Sequence, residues 1–214
     1  MNRHIGARAL LGTVIAFTLC GVAGTLAGGA APLAIDSARV TISGTSNIHA
    51  YTASTTTVRV RRGQLTGAAG GADLWESALT PGGVEMFEVG IPAATLTSPR
   101  EGLDANMHKA LLVTEHPDIV FRLQRLEPRP APAGAFKGIG VLKIAGVVRE
   151  IAMDITTERK NGALNVHGEV TLLMTDFGIK PPVALMGMLK TDPKVTVTFE
   201  TLLTLAPIAT TQQH

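Results

Sequence analysis

Residues 161–172 are Asn-Gly-Ala-Leu-Asn-Val-His-Gly-Glu-Val-Thr-Leu, and this stretch decides the fold class. From Leu164 to Leu172, apolar and polar residues alternate with a period of two, which is typical of a strand with one buried and one solvated face. Asn161-Gly162 in front of it is the strongest short hairpin motif in the chain, because both residues tolerate positive φ. A solvated face favours an antiparallel sheet over a parallel one.

The same alternation recurs along the chain and predicts about eight strands, the number that closes into a small barrel around side chains or one ligand. A closed barrel is attractive because it has no exposed edges, although a sandwich with a solid core fits the pattern too. The other predicted strand segments are 39–43, 55–61, 84–91, 118–123, 151–155 and 195–200, and the predicted turns include Gly82-Gly83, Gly134, Gly138, Gly146 and Asp192-Pro193.

One segment has helical rather than strand periodicity. Residues 103–112 place Leu103, Met107, Ala110 and Leu111 on one face, and Pro117 is expected to end the helix. The pattern therefore predicts an all-β fold of about eight antiparallel strands with one short helix, as a closed barrel or a sandwich.

The N-terminus has the layout of a secretory signal peptide. A basic start with Arg3 and Arg8 precedes an apolar run over residues 10–26, and small residues follow. We expect cleavage between Ala27 and Ala34, with residues 1–31 as signal peptide and 32–214 as the mature domain, located in the periplasm or secreted. A retained anchor is the alternative, because the run reaches roughly the 17-residue lower limit of a spanning helix.

Cys20 is the only cysteine, and it lies inside this leader. Its removal would leave a mature chain without disulfides, cysteine nucleophiles or thiolate metal sites, which suits an oxidising compartment. Cys20 could instead carry a lipid, but the bulky residues 17–19 in front of it do not favour that alternative.

Charge and motifs exclude several classes of function. The formal net charge is +2 and no basic stripe occurs, which argues against nucleic-acid binding, and no second apolar stretch could span a membrane after processing. Asp176-Phe177-Gly178 lacks the other kinase motifs and predicts a turn. We expect no enzyme activity, no catalytic residues, no metal and no cofactor, since no motif supplies them and none of the histidines has metal-ligand spacing: His4, His49, His108, His116, His167 and His214.

The apolar residues include few aromatics and several methionines, at positions 86, 107, 153, 174, 186 and 188. Methionine fills irregular spaces and adapts to flexible apolar partners. A barrel lined by such side chains suits a lipid-like chain better than a rigid aromatic cofactor, although ordinary core filling explains any single methionine.

Four motifs in order resemble the YceI-like family of bacterial periplasmic proteins over nearly the whole mature chain. They are Ser43-Gly44-Thr45-Ser46-Asn47-Ile48-His49, residues 102–111 leading to His116-Pro117-Asp118, residues 140–151, and residues 175–182. The resemblance implies an all-β fold, a lipocalin-like eight-stranded antiparallel β-barrel with one short helix. It also implies an apolar channel, which in some members holds a polyisoprenoid, and no catalytic residues. Many members carry a basic residue where this chain has Met174, and the family's aromatic after the early histidine motif is Tyr51.

The leading hypothesis is therefore a periplasmic carrier that sequesters an isoprenoid or other long-chain apolar lipid in the barrel interior; homodimers occur in the family. Two alternatives are a structural or stress-response interaction module with a solid core, and a hydrolase or isomerase using His49 or His116 beside Asp104 or Asp118. The expected lining residues occupy the apolar phase of their strands: Ile42, Phe87, Val89, Phe121, Leu142, Ile151, Met153, Leu172 and Phe199.

Overall fold

A computed structural model describes residues 31–66, 74–100, 102–184 and 189–206. The leader with Cys20, and Met186 and Met188, lie outside these residues. The strands are β1 Ala31–Ser46, β2 Ala50–Thr55, β3 Arg59–Leu65, β4 Val84–Pro92, β5 Asp118–Pro128, β6 Ala135–Ile144, β7 Val147–Lys160, β8 Ala163–Leu173, β9 Val183–Ala184 and β10 Leu189–Leu205, and the helices are α1 Leu74–Ala78 and α2 Leu103–Ala110.

The sheet closes on itself through its first and last long strands. β1 pairs antiparallel with β10, from Leu33 opposite Leu205 to Ser46 opposite Thr191. On its other edge β1 pairs with both β2 and β3, which act as one bent strand, and the order then runs β3-β4-β5-β6-β7-β8-β10. The result is a closed eight-stranded antiparallel β-barrel, as predicted, with the two-residue β9 added beside β10.

The hairpin turns follow the predicted chemistry in part. Asn161 and Gly162 both have positive φ, 53° and 79°, and join β7 to β8 as expected of a type I′ turn. Gly138 is not in a turn but inside β6, where a Cβ atom would overlap the Ile155 side chain. Asp192-Pro193 lies within β10, beside an irregularity in the pairing with β1. The predicted strand 55–61 spans the break between β2 and β3.

The helix of residues 103–112 is confirmed, with a different end. α2 stops at Ala110, and Leu112 has φ of 52°. The left-handed backbone at Leu112 therefore ends the helix before Pro117 is reached. The other helix, α1, was not predicted from the sequence; it lies between β3 and β4.

The connections divide between two ends of the barrel. We call the end with α1, which also carries the β5–β6 and β7–β8 connections, the α1 end. The other end carries the β1–β2, β4–β5, β6–β7 and β8–β10 connections, with α2 inside the second of them, and is called the α2 end. Because the strands are antiparallel, each connection can be assigned to its end from topology alone.

Candidate functional site: the barrel interior

The barrel encloses an inner cavity of about 200 Å³. Of the described residues that line it, all are apolar except Thr157 and Thr201. The structure places every one of the predicted lining residues on this wall: Ile42, Phe87, Val89, Phe121, Leu142, Ile151, Met153, Leu172 and Phe199. Their contact with a ligand stays a prediction.

Register across the strands explains why these positions share the interior. Val89 of β4 lies opposite Phe121 of β5, which in turn lies opposite Leu142 of β6. Residues directly opposite each other point to the same face of a sheet, and alternation along each strand repeats that face every second residue. The inward-facing apolar residues of neighbouring strands therefore form a continuous apolar wall.

The interior is not filled to the density of a solid core. Phe87, Val89, Phe121, Ile151 and Phe199 all line the cavity, yet each is only half-buried. In a solid core, inward-facing apolar residues would be close-packed on all sides. Here their remaining accessible surface borders empty apolar space, the kind of cavity that stays free of water and accepts an apolar guest.

Two glycines let aromatic rings pack closely against the wall. A Cβ atom at Gly140 would lie 2.6 Å from the Phe121 ring, and one at Gly168 would overlap the ring of Phe199. Both glycines occupy inward positions, and Gly168 lies directly opposite Phe199 in the sheet. Because neither glycine has a side chain, each ring occupies the space beside its glycine. The lumen space that the ring would otherwise fill stays open.

The α1 end is plugged by helix α1. Leu74, Trp75 and Ala78 are buried there, and Trp75 and Ala78 line the inner cavity. The indole Nε1 of Trp75 donates a hydrogen bond of 2.8 Å to the carbonyl oxygen of Gly162, in the β7–β8 turn. This bond ties the helix to the opposite side of the barrel end, and the plug closes the lumen there.

A second cavity, of about 400 Å³, lies at the α2 end. The face of α2 predicted to be apolar lines it, through Leu103, Met107, Ala110 and then Leu111. It shares wall residues with the inner cavity: Ile42, Ile119, Ile144, Leu172 and Val197. Arg100, Gly102, Asn106 and Leu173 line it and are exposed, so this cavity opens to the outside and continues the inner cavity toward solvent.

The second cavity has polar groups that the inner one lacks: Ser46, His49, Tyr51, Arg100, Asn106 and Thr191. The Tyr51 ring packs against Gly44, where a Cβ atom would overlap it. Burial, and secondarily the negative charge of Asp192, raise the pKa of the Tyr51 phenol above its ordinary value of 10.0. Tyr51 is therefore a neutral hydroxyl at physiological pH.

Arg100 supplies the only lysine or arginine side chain on this cavity among the described residues. Met174, where the family resemblance predicted a basic residue in many members, lines the same cavity and is half-buried. Sequence reasoning missed Arg100, which lies outside the motifs, and gave no role to Asn106, which lies within the motif of residues 102–111. The β4–β5 connection brings both side chains to the cavity.

The histidines and carboxylates of the hydrolase hypothesis have other neighbours. The Asp104 carboxylate accepts a 2.7 Å hydrogen bond from the Ser98 N–H, and the Asp118 carboxylate pairs with Arg61. A Cβ atom at Gly146 would meet the His116 ring at 2.5 Å, which places that ring against the β6–β7 turn. Within the described ranges, no ion pair joins His49 or His116 to a carboxylate, and no group of three metal-ligating side chains occurs.

Residues 33–203 match the YceI-like domain family. The chain belongs to the YceI-like family. The match starts and ends inside β1 and β10, so the family domain coincides with the closed barrel. The sequence matches no curated protein.

Solved structures share this barrel. BcnA of Burkholderia cenocepacia superposes with a TM-score of 0.62 at 12% identity, over 79% of this chain and 99% of BcnA. A polyisoprenoid binding domain from Saccharophagus degradans gives 0.59 at 11% identity, over 82% and 99%. A mutant YceI protein of Campylobacter jejuni gives 0.50 at 13% identity, over 71% and 85%. At these identities the likeness shows the YceI fold alone. None of the helices in the described residues has the length and hydropathy needed to cross a membrane.

Proposed function

We propose that this YceI-like protein is a periplasmic binding or carrier protein that sequesters a long apolar lipid of isoprenoid type and performs no chemistry of its own. The lipid tail occupies the inner cavity, and the head lies in the cavity at the α2 end. The single observation that carries the proposal is the unfilled apolar lumen, which is plugged by α1 and continuous with an open cavity at the other end.

Burial of hydrocarbon supplies the binding free energy. Moving a methylene group from water into an apolar site is worth roughly 0.8 kcal/mol. The described lumen residues include no charged side chain, so nothing on this wall needs a polar partner. A branched, flexible isoprenoid tail fits an irregular aliphatic wall such as that around Met153 better than a rigid cofactor does.

The polar groups at the α2 end fit a head that accepts hydrogen bonds. Tyr51 and Asn106 carry neutral donors, and Arg100 adds a cation. A hydroxyl, a quinone carbonyl or a phosphate could accept from them, and a phosphate would gain most from the guanidinium. This chain has Met174 where many family members carry a basic residue. We therefore assign to Arg100 the positive charge that meets a phosphate head.

The likeness to a polyisoprenoid binding domain supports the ligand class, and the secretory leader predicted from the sequence supports periplasmic location. Leu33 is buried against the core that contains Trp75. Cleavage after Leu33 or Ala34 would remove part of β1, so we expect the mature N-terminus to lie before Leu33. Mass spectrometry of the exported protein measures this directly.

An interaction module with a solid core is the less favoured alternative, because the described interior leaves apolar space unfilled. The test is extraction of protein recovered from the periplasm, followed by mass spectrometry of the organic phase. We expect an isoprenoid-type lipid in amounts comparable to the protein. Repeated recovery of empty protein that also takes up no added polyprenol would overturn the proposal.

Two neighbouring residues of β8 provide the matched control. Val170 lines the inner cavity, whereas Thr171 is exposed on the outer face. Val170→Trp should fill the lumen and abolish lipid recovery, and Thr171→Trp should carry lipid as the parent does. Circular dichroism of both variants verifies that the barrel is intact, so loss of lipid from Val170→Trp can be assigned to the blocked lumen.

A further inference from the structure

The exposed large apolar side chains of the described residues are concentrated at one end of the barrel. They are Ile48 (58% exposed), Val148 (49%), Leu112 (43%), Leu173 (42%) and Leu205 (37%). The first four lie at the α2 end, and Leu205 lies at the end of β10, on the α1 end. Scattered exposed apolar residues are ordinary, but a group around a cavity opening marks an interaction surface.

The four residues are spread around the opening. Ile48 lies in the β1–β2 connection and Leu112 in the β4–β5 connection, while Val148 is the second residue of β7 and Leu173 is the last residue of β8. Each of the four connections at this end therefore has one of these residues within it or within two residues of it. Leu173 also lines the cavity itself. Because the four connections are spaced around the strand order, the group of four, here called the apolar rim, is distributed around the end at which the lumen opens.

Each member of the apolar rim has an exposed cation beside it. Asn47, next to Ile48, exchanges two hydrogen bonds with the backbone of Lys190, and the Leu112 N–H bonds to the carbonyl of Lys109. Val148 lies opposite Lys143 and precedes Arg149, and Leu173 lies opposite Lys194. None of these cations forms an ion pair with a described residue.

Carboxylates are present at the same end, including Asp104, Glu115, Glu150, Asp176 and Asp192. The α2 end therefore has no large positive field. What distinguishes it is the local pairing of an apolar side chain with a cation, repeated around the opening. Interfacial membrane binding uses this combination, with apolar groups among the acyl chains and lysine or arginine at the phosphates.

We propose that the α2 end is a membrane-docking surface on which the barrel stands end-on against an anionic lipid bilayer. The apolar rim inserts among the head groups, the neighbouring cations meet lipid phosphates, and the entrance opens directly onto the lipid layer. A bilayer fits better than a protein partner because the pairing of an exposed apolar side chain with a cation recurs around the whole end of the barrel, as interfacial lipid binding requires. The role of the docked state in lipid loading rests on the proposed function, whereas the docking surface does not.

Site-specific fluorescence tests which end meets the bilayer. In the exported protein with Cys20→Ser, single cysteines at Ile48, Leu173 or Leu205 carry an environment-sensitive nitrobenzoxadiazole label, and vesicles of phosphatidylcholine and phosphatidylglycerol (3:1) are added. We expect blue-shifted, brighter emission from positions 48 and 173 and no change at 205. Unchanged emission at 48 and 173, or an equal shift at 205, would overturn the proposal even if another segment attaches the chain to vesicles.

A second measurement tests the rim by substitution. The combined variant Ile48→Ser, Leu112→Ser, Val148→Ser and Leu173→Ser should lower the vesicle partition coefficient at least tenfold, and the matched control Leu205→Ser should leave it unchanged. Equal partition of the combined variant and the control contradicts the proposal. Binding by another protein that needs the rim, without vesicle binding, also contradicts it.

Uptake of dansyl-labelled farnesol from solution separates this inference from the proposed function. Parent protein that takes up the probe but shows no rim-dependent vesicle binding contradicts the docking surface alone. Parent protein that binds vesicles through the rim but takes up neither the probe nor polyprenol contradicts the lipid-carrier function and leaves the docking surface standing.

Discussion

The two ends of the barrel differ in burial and in polarity. At the α1 end a buried tryptophan closes the lumen and hydrogen-bonds across the barrel to Gly162. At the α2 end a helix with no buried residue, α2, borders a larger cavity with polar groups and exposed rim residues. The lumen is therefore a blind channel, closed by α1 at one end and open toward solvent at the other.

The largest expected effect comes from removing the plug. Trp75→Ala should lower the free energy of unfolding by about 3–5 kcal/mol, the usual cost of truncating a buried aromatic residue. The matched change at the open end, Tyr51→Ala, should cost less because Tyr51 is only half-buried. Urea unfolding followed by circular dichroism measures both. Equal losses of unfolding free energy for the two variants would contradict the difference in burial between the two ends.

The lumen between the ends is tested by its glycines. Gly168→Ala should cost about 1–3 kcal/mol by overpacking against Phe199 and should weaken lipid uptake, since the ring is pushed into the lumen. The double variant Gly168→Ala, Phe199→Leu should recover part of both losses. Thr171→Ala on the outer face serves as the control. Additive effects of Gly168→Ala and Phe199→Leu in the double-mutant cycle would contradict the packing of the Phe199 ring against Gly168.

Much of this architecture follows from alternation alone. Successive residues of a strand point to opposite faces, so the apolar residues of 84–91 or of 164–172 had to point inward once the sheet closed. All nine predicted lining residues lie on the cavity wall. The sequence pattern could not distinguish an empty lumen from a solid core, since the same residues face inward in both.

The features that escaped prediction depend on tertiary packing. α1 has only five residues, and its Trp75 contacts Gly162, 87 positions further along the chain. Gly138 looked like a turn residue, but its role is to leave room for Ile155. Arg100 reaches the open cavity from the β4–β5 connection, at a position just outside the motif of residues 102–111. No local pattern encodes any of these three contacts.

A smaller effect is expected from the cation at the open end. Arg100→Gln should weaken binding of a polyprenyl phosphate about fivefold, corresponding to roughly 1 kcal/mol for an exposed ion pair. Binding of the uncharged polyprenol should be unchanged, because its head cannot form the ion pair. Competition against a fluorescent lipid measures both ligands, and equal weakening of the two would contradict the assignment of Arg100 to the head group.

The smallest effect concerns Tyr51, the only tyrosine in the chain. Because its pKa is raised by burial and by Asp192, absorbance at 295 nm should show ionisation above pH 10 in the folded protein. The unfolded phenol ionises at lower pH, so the stability that Tyr51 contributes is present below pH 10 and is lost as pH rises through the folded pKa. Asp192→Asn should lower the midpoint slightly, and a midpoint at or below 10 would contradict the buried position.

Quenching of Trp75 tests the blind-channel account most directly. Trp75 is the only tryptophan, and it lines the lumen at the α1 end. A polyprenol brominated at the tail end should quench its fluorescence, and the same lipid brominated at the head should not. No quenching by either lipid, or stronger quenching by the head-brominated one, would contradict the claim that the tail runs from the α2 end to the plug.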